Sequence, residues 1–155
     1  MGTWLALGAF LAGSFAAAGL GALSTGDTAA FYSELTKPSW APPAWLFGPV
    51  WTVLYIMIAV AGWMLWRQGG WNPALTAWTV QLVLNAAWTP AFFGLRNFTA
   101  GLVVITLLLA AIVVTVVLAW RQTPVAGVLL LPYLVWVSFA AALNTALWWA
   151  NPQFR

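Results

Sequence analysis

The sequence contains no cysteine and no histidine, and its only acidic side chains are Asp27 and Glu34. The first two absences exclude disulfides, thiolate chemistry, imidazole acid–base catalysis and almost every zinc or copper site. Two carboxylates are also too few for a carboxylate-rich magnesium or calcium site. We therefore expect no metal site and no classical catalytic residues.

Charge of either sign is scarce. Only 5% of the 155 residues are charged, and 64% are apolar, whereas a soluble domain has about 25% charged residues. This composition predicts an integral membrane protein. The cations are scattered singly along the chain, so we expect no nucleic-acid partner; they are Lys37, Arg67, Arg96, Arg121 and Arg155.

Long apolar runs are abundant. About 20 such residues cross roughly 30 Å of hydrocarbon as a helix. Five segments meet this length and leave no room for a second domain; they are 4–23, 44–66, 74–93, 99–120 and 125–149. The predicted fold is an all-α, five-helix transmembrane bundle that forms one domain over residues 1–155. The first segment lacks a basic n-region and exceeds the core of a cleaved signal peptide, so we expect a spanning helix there.

One connection, residues 24–43, is much longer than the others. It holds both acids, Tyr32, Lys37 and Trp40, and three prolines. A connection of this length without an obvious helix or strand is usually functional or disordered. We predict a semi-rigid lid over one end of the bundle.

The distribution of the cations also predicts the orientation of the chain across the membrane. With five spans, Lys37, Arg96 and Arg155 share one face, and Arg67 and Arg121 share the other. The positive-inside rule then predicts a cytoplasmic C-terminus and an outside N-terminus. The Ala-, Trp- and Leu-rich composition without a basic tail suggests a bacterial cell membrane.

The sequence has 13 tryptophans, most of them at or near segment ends. Membrane interfaces favour this placement, because indole is apolar but has an N–H that needs a partner. Trp51, Trp88 and Trp136 lie deeper, and Trp78 lies close enough to a segment end to belong to either group. Trp51 and Trp88 are in the half of the bilayer nearest the lid.

Polar and aromatic residues share helix faces at these depths. Amides in hydrocarbon need hydrogen-bond partners, so these faces should point into the bundle. There they either tie helices together or line a pocket for a large, flat, apolar ligand. The faces are Gln81, Asn85, Trp88 and Phe92; Tyr133, Trp136, Ala140, Leu143 and Asn144; and Trp51, Tyr55 and Gly62.

Prolines and small residues shape the predicted helices. Pro49, Pro90 and Pro132 lie within or near the ends of three segments, where a kink either opens a cavity or is tolerated in packing. The first segment has small residues four apart, as in Gly8 and Ala12. Such spacing permits close helix contact within the bundle or between subunits.

Three motifs, in order along nearly the whole chain, resemble the TspO/MBR family of tryptophan-rich sensory and translocator proteins. The first is Lys37-Pro38-Ser39-Trp40-Ala41-Pro42-Pro43 followed by Gly48-Pro49-Val50-Trp51 and Leu54-Tyr55. The second comprises Gln81-Leu82, Leu84-Asn85, Trp88 and Phe92-Phe93-Gly94. The third comprises Pro132-Tyr133, Trp136, Phe139-Ala140 and Leu143-Asn144.

The resemblance implies a five-helix bundle, often a homodimer, that binds porphyrins such as protoporphyrin IX. Animal members also bind cholesterol and isoquinoline or benzodiazepine drugs. In bacterial relatives the positions of Trp51 and Trp136 are implicated in light- and oxygen-dependent porphyrin degradation. The implied ligand-binding residues are Tyr32, Trp40, Trp51, Asn85, Trp88, Trp136, Ala140, Leu143 and Asn144.

The sequence departs from the animal cholesterol motif. That motif needs Leu or Val, then Tyr, then Lys or Arg at short spacing in the fifth helix. The run from Leu143 to Trp149 has neither the Tyr nor a nearby cation. This argues against sterol binding as the main role.

The predicted function is therefore a membrane-embedded porphyrin-binding protein with a sensory or regulatory role and light-dependent porphyrin degradation through Trp51 and Trp136. No cofactor is required. Protoporphyrin IX or haem is the expected ligand, held by its face and propionates, because the commonest haem axial ligands are missing. Lys37 or Arg96 could pair with a propionate. The alternative is a transporter of porphyrin, sterol or other lipophilic ligands.

Overall fold

A computed structural model describes residues 2–23 and 26–155. Met1, Ser24 and Thr25 lie outside the described residues, and with them the first residue of the predicted domain and the first two of the predicted lid. The described chain has six α-helices: α1 Thr3–Leu23, α2 Thr28–Glu34, α3 Phe47–Arg67, α4 Pro73–Thr89, α5 Phe98–Gln122 and α6 Pro124–Ala150. Three short turns complete it: the 3-10 helices Ala44–Leu46 and Pro152–Phe154 and the π-helical turn Pro90–Gly94.

The all-helical membrane class is confirmed, but the predicted count of five helices is not matched. Four helices of the described chain are long and apolar enough to cross a membrane: α1, α3 together with its 3-10 turn, α5 and α6. The count differs for two reasons. The lid contains a helix of its own, α2, and the third predicted span, 74–93, is divided at a proline.

Pro90 divides that span. It has no N–H and therefore removes one bond of the α-helical ladder, and here the α-helix ends at the residue before it. The 17-residue α4 ends at Thr89, and the chain continues as the π-helical turn, in which the Leu95 N–H donates to the Pro90 carbonyl at 2.8 Å. At the other end the Asn72 side chain accepts from the Leu75 N–H at 3.0 Å and caps the helix.

The five longer helices pack in a closed ring. Helix α1 contacts α3 and α4, α4 contacts α5, α5 contacts α6, and α6 contacts α3. Gly62 permits close packing of α3 on α4, because a Cβ there would lie 2.5 Å from the Trp78 ring. The Trp78 indole donates to the Ile58 carbonyl at 2.8 Å. Trp78 is thus a buried core residue and not part of an interfacial belt.

The lid is more ordered than its sequence indicates. Asp27 caps α2 by accepting from the Ala30 N–H at 3.0 Å. Phe31, Tyr32 and Leu35 are buried, with the first and last four residues apart on one helical face. This short helix therefore docks onto the bundle through an apolar face, which holds the lid in place.

Candidate ligand-binding site

A cavity of about 370 Å³ lies beneath the lid, between the ends of α1, α3 and α4. We call it the inner cavity. Small side chains of α1 and the lid form one side, and aromatic rings of α3 and α4 form the other. The lining residues are Ala18, Ala22, Gly26, Thr28, Ala29, Tyr32, Ala44, Phe47, Gly48, Trp51, Tyr55, Trp88, Thr89 and Phe93.

Aromatic rings provide flat walls for this cavity. Trp51 and Tyr55 lie one helical turn apart on α3, with ring centroids 5.4 Å apart. Trp88 and Phe93 project from α4 and the π-helical turn, and their rings meet edge to face at 6.0 Å. Such walls suit a flat, apolar ligand, because aromatic faces attract other π-systems in offset or edge-on contact.

The floor of the inner cavity is a buried hydrogen-bond chain. The Tyr55 hydroxyl donates to Asn85 Oδ1, and Asn85 Nδ2 donates to the Tyr133 hydroxyl at 2.9 Å. Tyr55 reaches the cavity surface, whereas Asn85 lies behind it. Asn85 therefore fixes the floor and does not itself line the inner cavity.

Asn144 plays a similar part for Trp88. The Trp88 indole donates to Asn144 Oδ1 at 3.3 Å, and Asn144 Nδ2 donates to the Phe98 carbonyl at 3.3 Å. Ala140, Leu143 and Asn144 line a much smaller space of about 20 Å³, which shares Tyr32, Phe47, Trp88 and Phe93 with the inner cavity. These three α6 residues thus lie behind its aromatic wall.

Trp136 and Trp40 lie elsewhere. Trp136 lines an open apolar groove between α3 and α6, which we call the outer groove, together with Val50, Leu54, Val128, Leu131, Pro132, Val135 and Phe139. Trp40 is 49% exposed, and its ring packs edge to face on Phe139 at 5.7 Å. The structure therefore places Trp51 and Trp136 in different spaces. Phe47 lies between them, with its ring 6.0 Å from Trp136.

The third predicted amide, Gln81, differs from the other two. It is fully buried, and within the described chain neither amide atom has a hydrogen-bond partner. Within the described chain, the expectation that each intramembrane amide has a hydrogen-bond partner is met by Asn85 and Asn144 and not by Gln81. A buried water is the usual partner of such a group.

The lid contributes Tyr32. Its hydroxyl donates to the Pro42 carbonyl at 2.9 Å, which connects α2 to the end of the lid that precedes α3. Burial raises the pKa of the Tyr32 phenol above its usual value of 10.0, so this group remains a neutral donor at physiological pH. Tyr32 therefore presents a ring face and no charge to the cavity.

Neither predicted propionate partner lines the inner cavity. The Lys37 ammonium donates to the carbonyls of Tyr32, Ser33 and Leu35 at 2.8, 3.2 and 3.0 Å and so caps the end of α2. The Arg96 guanidinium lies over the Phe31 ring, 4.6 Å from its centroid. Both cations are on the lid side of the bundle.

Sequence reasoning missed several cavity residues. Phe47 and Phe93 lie at helix ends, where their facing depends on how α3 begins and on the π-helical turn. Ala18 and Ala22 belong to the small-residue helix α1, whose sequence indicated close packing. Their shortness instead leaves the cavity open on that side.

These features define a class of protein: a multi-pass helical membrane protein with a ligand-sized aromatic cavity bordered by a lid. The sequence model of the TspO/MBR family matches residues 7–150. The chain belongs to the TspO/MBR family.

Individual proteins with similar sequences support this family membership. The tryptophan-rich protein TspO of Chlorobaculum tepidum is 44% identical over 126 residues, covering 79% of this chain and 80% of that protein. The human translocator protein is 38% identical over 135 residues, covering 84% and 80%. The tryptophan-rich sensory protein of Cereibacter sphaeroides is 35% identical over 155 residues, covering 98% and 97%.

Proposed function

We propose that the protein binds porphyrins such as protoporphyrin IX in the inner cavity. The observation that carries the proposal is the aromatic, lid-covered cavity in a member of the TspO/MBR family. Its volume of about 370 Å³ falls within the range of roughly 300–1,000 Å³ typical of small-molecule pockets. The ring faces of Trp51, Tyr55 and Trp88 then contact the macrocycle.

Recognition in this proposal does not depend on a metal. The sequence has no His or Cys to act as the commonest haem axial ligands, so metal-free and iron porphyrin should bind alike. Of the two cations on the lid side, Arg96 is the one that we propose for a propionate, because all three N–H groups of the Lys37 ammonium already donate to backbone carbonyls. No resident cofactor is required.

The test is quenching of Trp fluorescence as purified protein is titrated with protoporphyrin IX. Trp51→Phe should weaken binding roughly two- to tenfold, because it reduces an aromatic contact. Trp71→Phe, at a site 69% exposed, is the matched control and should bind as wild type does. Weakening by Trp136→Phe alone would place the ligand in the outer groove, and unsaturable quenching in all variants would overturn the proposal.

We propose further that the protein has a sensory or regulatory role and degrades its porphyrin in light and oxygen, with Trp51 and Trp136 as the photochemical residues. The porphyrin absorbs the light, O₂ is the oxidant, and oxidisable indoles lie in and near the cavity. The measurement is loss of porphyrin absorbance under illumination. Loss at the wild-type rate in the Trp51→Phe, Trp136→Phe double variant would remove this mechanism.

Transport is the second candidate function, because several relatives, including the human protein, are named translocator protein. No ionisable acid or base lines the inner cavity of the described chain apart from tyrosine, which favours facilitated diffusion over ion-coupled transport. Porphyrin flux into sealed proteoliposomes, compared with protein-free vesicles, tests it. Sterol is not proposed as the main cargo, because the cholesterol motif is incomplete.

Isoquinoline and benzodiazepine drugs are further proposed ligands of the inner cavity, and competition with protoporphyrin IX tests this.

We also propose a homodimer in a bacterial cell membrane, with the N-terminus outside and the C-terminus cytoplasmic. Because the chain has no cysteine, single cysteines at Gln68 and Ser39 can be labelled from each side of the membrane. Labelling of the Ser39→Cys variant from outside intact cells would contradict the proposed orientation and indicate the opposite one.

A further inference from the structure

Asn151, directly after α6, is only 1% exposed, although it follows the last residue of the helix. Its Oδ1 accepts from the Thr36 N–H at 2.9 Å. Its Nδ2 donates to the carbonyls of Thr36 and Leu147, both at 2.9 Å. The amide thus joins the end of α6 to a lid residue 115 positions away.

Thr36 takes part through its backbone alone. It is an exposed residue just beyond α2, and both its N–H and its carbonyl pair with the same side-chain amide. This two-bond pattern resembles the pairing of neighbouring β-strands, with Asn151 in place of the second strand. It holds the position of the lid backbone and not the Thr36 side chain.

The turn that contains Asn151 makes a second contact with the lid. The Phe154 ring packs on Phe31 of α2 at 5.2 Å and on Phe98 at 5.4 Å. Toward the start of the lid, Gly26 and Ala29 are exposed and line the inner cavity. The lid is therefore anchored at its α6 side, and its other side borders the cavity.

We propose that Asn151 is the latch of the lid: a positioning residue that holds Tyr32 and α2 over the inner cavity by pairing with the Thr36 backbone, and thereby sets how fast a bound porphyrin leaves. The release rate rests on the proposed function, whereas the latch itself does not. Breaking the pair frees the lid at its anchored end. Tyr32, four residues before Thr36, then moves away from the cavity.

The first experiment measures hydrogen exchange of the lid in ligand-free protein. Asn151→Ala removes all three side-chain bonds and should speed exchange in the segment 28–43 by roughly tenfold or more, since each bond contributes about 1 kcal/mol. Thr36→Ala is the matched control: it keeps the backbone N–H and carbonyl and should exchange as wild type does. Exchange within α3 and α5 should be unchanged in both variants.

The second experiment measures protoporphyrin IX release by stopped-flow displacement. Asn151→Ala should speed dissociation by a similar factor, with a smaller change in the association rate. If Asn151→Ala fails to fold, Thr36→Pro removes the donating N–H from the lid side. Leu35, with ψ of 145°, already has the extended conformation that a following proline requires.

The outcomes separate the two proposals. Wild-type exchange of the lid in Asn151→Ala, or an equal rise throughout α3 and α5, would overturn the latch while leaving porphyrin binding intact. Faster lid exchange in a protein that shows no saturable porphyrin binding would support the latch and overturn the proposed ligand. Unchanged release despite faster lid exchange would overturn control of release by Asn151.

Discussion

At the residue scale, the floor of the inner cavity depends on one amide. Asn85 accepts from Tyr55 and donates to Tyr133, and all three side chains are buried. Asn85→Leu leaves two buried hydroxyls without a partner at a cost of about 1–3 kcal/mol for each unsatisfied group. We expect a clear fall in thermal stability of the detergent-solubilised protein, measured by circular dichroism.

The triple variant Tyr55→Phe, Asn85→Leu, Tyr133→Phe is the control. It removes every polar atom of the chain of bonds, and full apolar replacement is often close to neutral. Its stability should therefore exceed that of Asn85→Leu alone. If both variants were equally destabilised, loss of packing, and not the unpaired hydroxyls, would be the cause.

Gly62 gives a second prediction at this scale. A methyl group at Gly62 would lie 2.5 Å from Trp78 Cε2, so the indole must move and weaken its bond to the Ile58 carbonyl. Gly62→Ala should destabilise the protein by about 1–3 kcal/mol, as overpacking does. Gly13→Ala, on α1 with nothing within 4 Å of the new Cβ, should be neutral or mildly stabilising. Equal thermal stability of the two variants would contradict the close α3–α4 packing.

Single residues also show what the sequence could reveal. The four-residue spacing of Gln81 and Asn85 correctly indicated an inward face. Reasoning from depth brought Trp51 and Trp136 together, but they face different spaces, because the depth of a residue does not specify its rotation about a helix that packs on two neighbours. Asn151 carried no sequence signal, since its partner is backbone 115 positions away.

At the element scale, α2 is the main difference between the predicted and the observed structure. Its seven residues span barely two turns, which is too few for a hydrophobic period to be recognised. The three prolines that follow α2 in the lid also argued against a helix there. Helices this short are unstable alone, so α2 depends on its cap and on its docking to Phe93, Phe98 and Phe154. The long helices, by contrast, were apparent from length and composition.

The Asp27 cap can be tested. Asp27→Ala removes the acceptor for the Ala30 N–H and should cost about 1 kcal/mol. We expect faster hydrogen exchange in the first turn of α2 alone, with Thr36 still protected by Asn151. Asp27→Asn, which retains a capping oxygen, should exchange almost as wild type does. Loss of protection throughout the lid would show that the cap and the latch are a single cooperative unit.

At the scale of the whole molecule, the closed ring of helices explains why a cavity persists in a densely packed bundle. Small side chains on α1 face aromatic rings on α3 and α4, so the space between them stays open beneath the lid. The groove between α3 and α6 lies on another side of the ring. A ligand can therefore be assigned to one space or the other by filling one of them.

Ala18→Phe should fill the inner cavity from α1 without altering any of its aromatic walls. Saturable protoporphyrin IX binding should fall at least tenfold, and the thermal stabilisation that wild type gains from ligand, about 2.7 kcal/mol at 100 times Kd, should largely disappear. Ala16→Phe, on the exposed face of the same helix, should bind and be stabilised as wild type is. Undiminished binding by a folded Ala18→Phe variant would move the ligand out of the inner cavity, and the outer groove beside Trp136 would become the site to test.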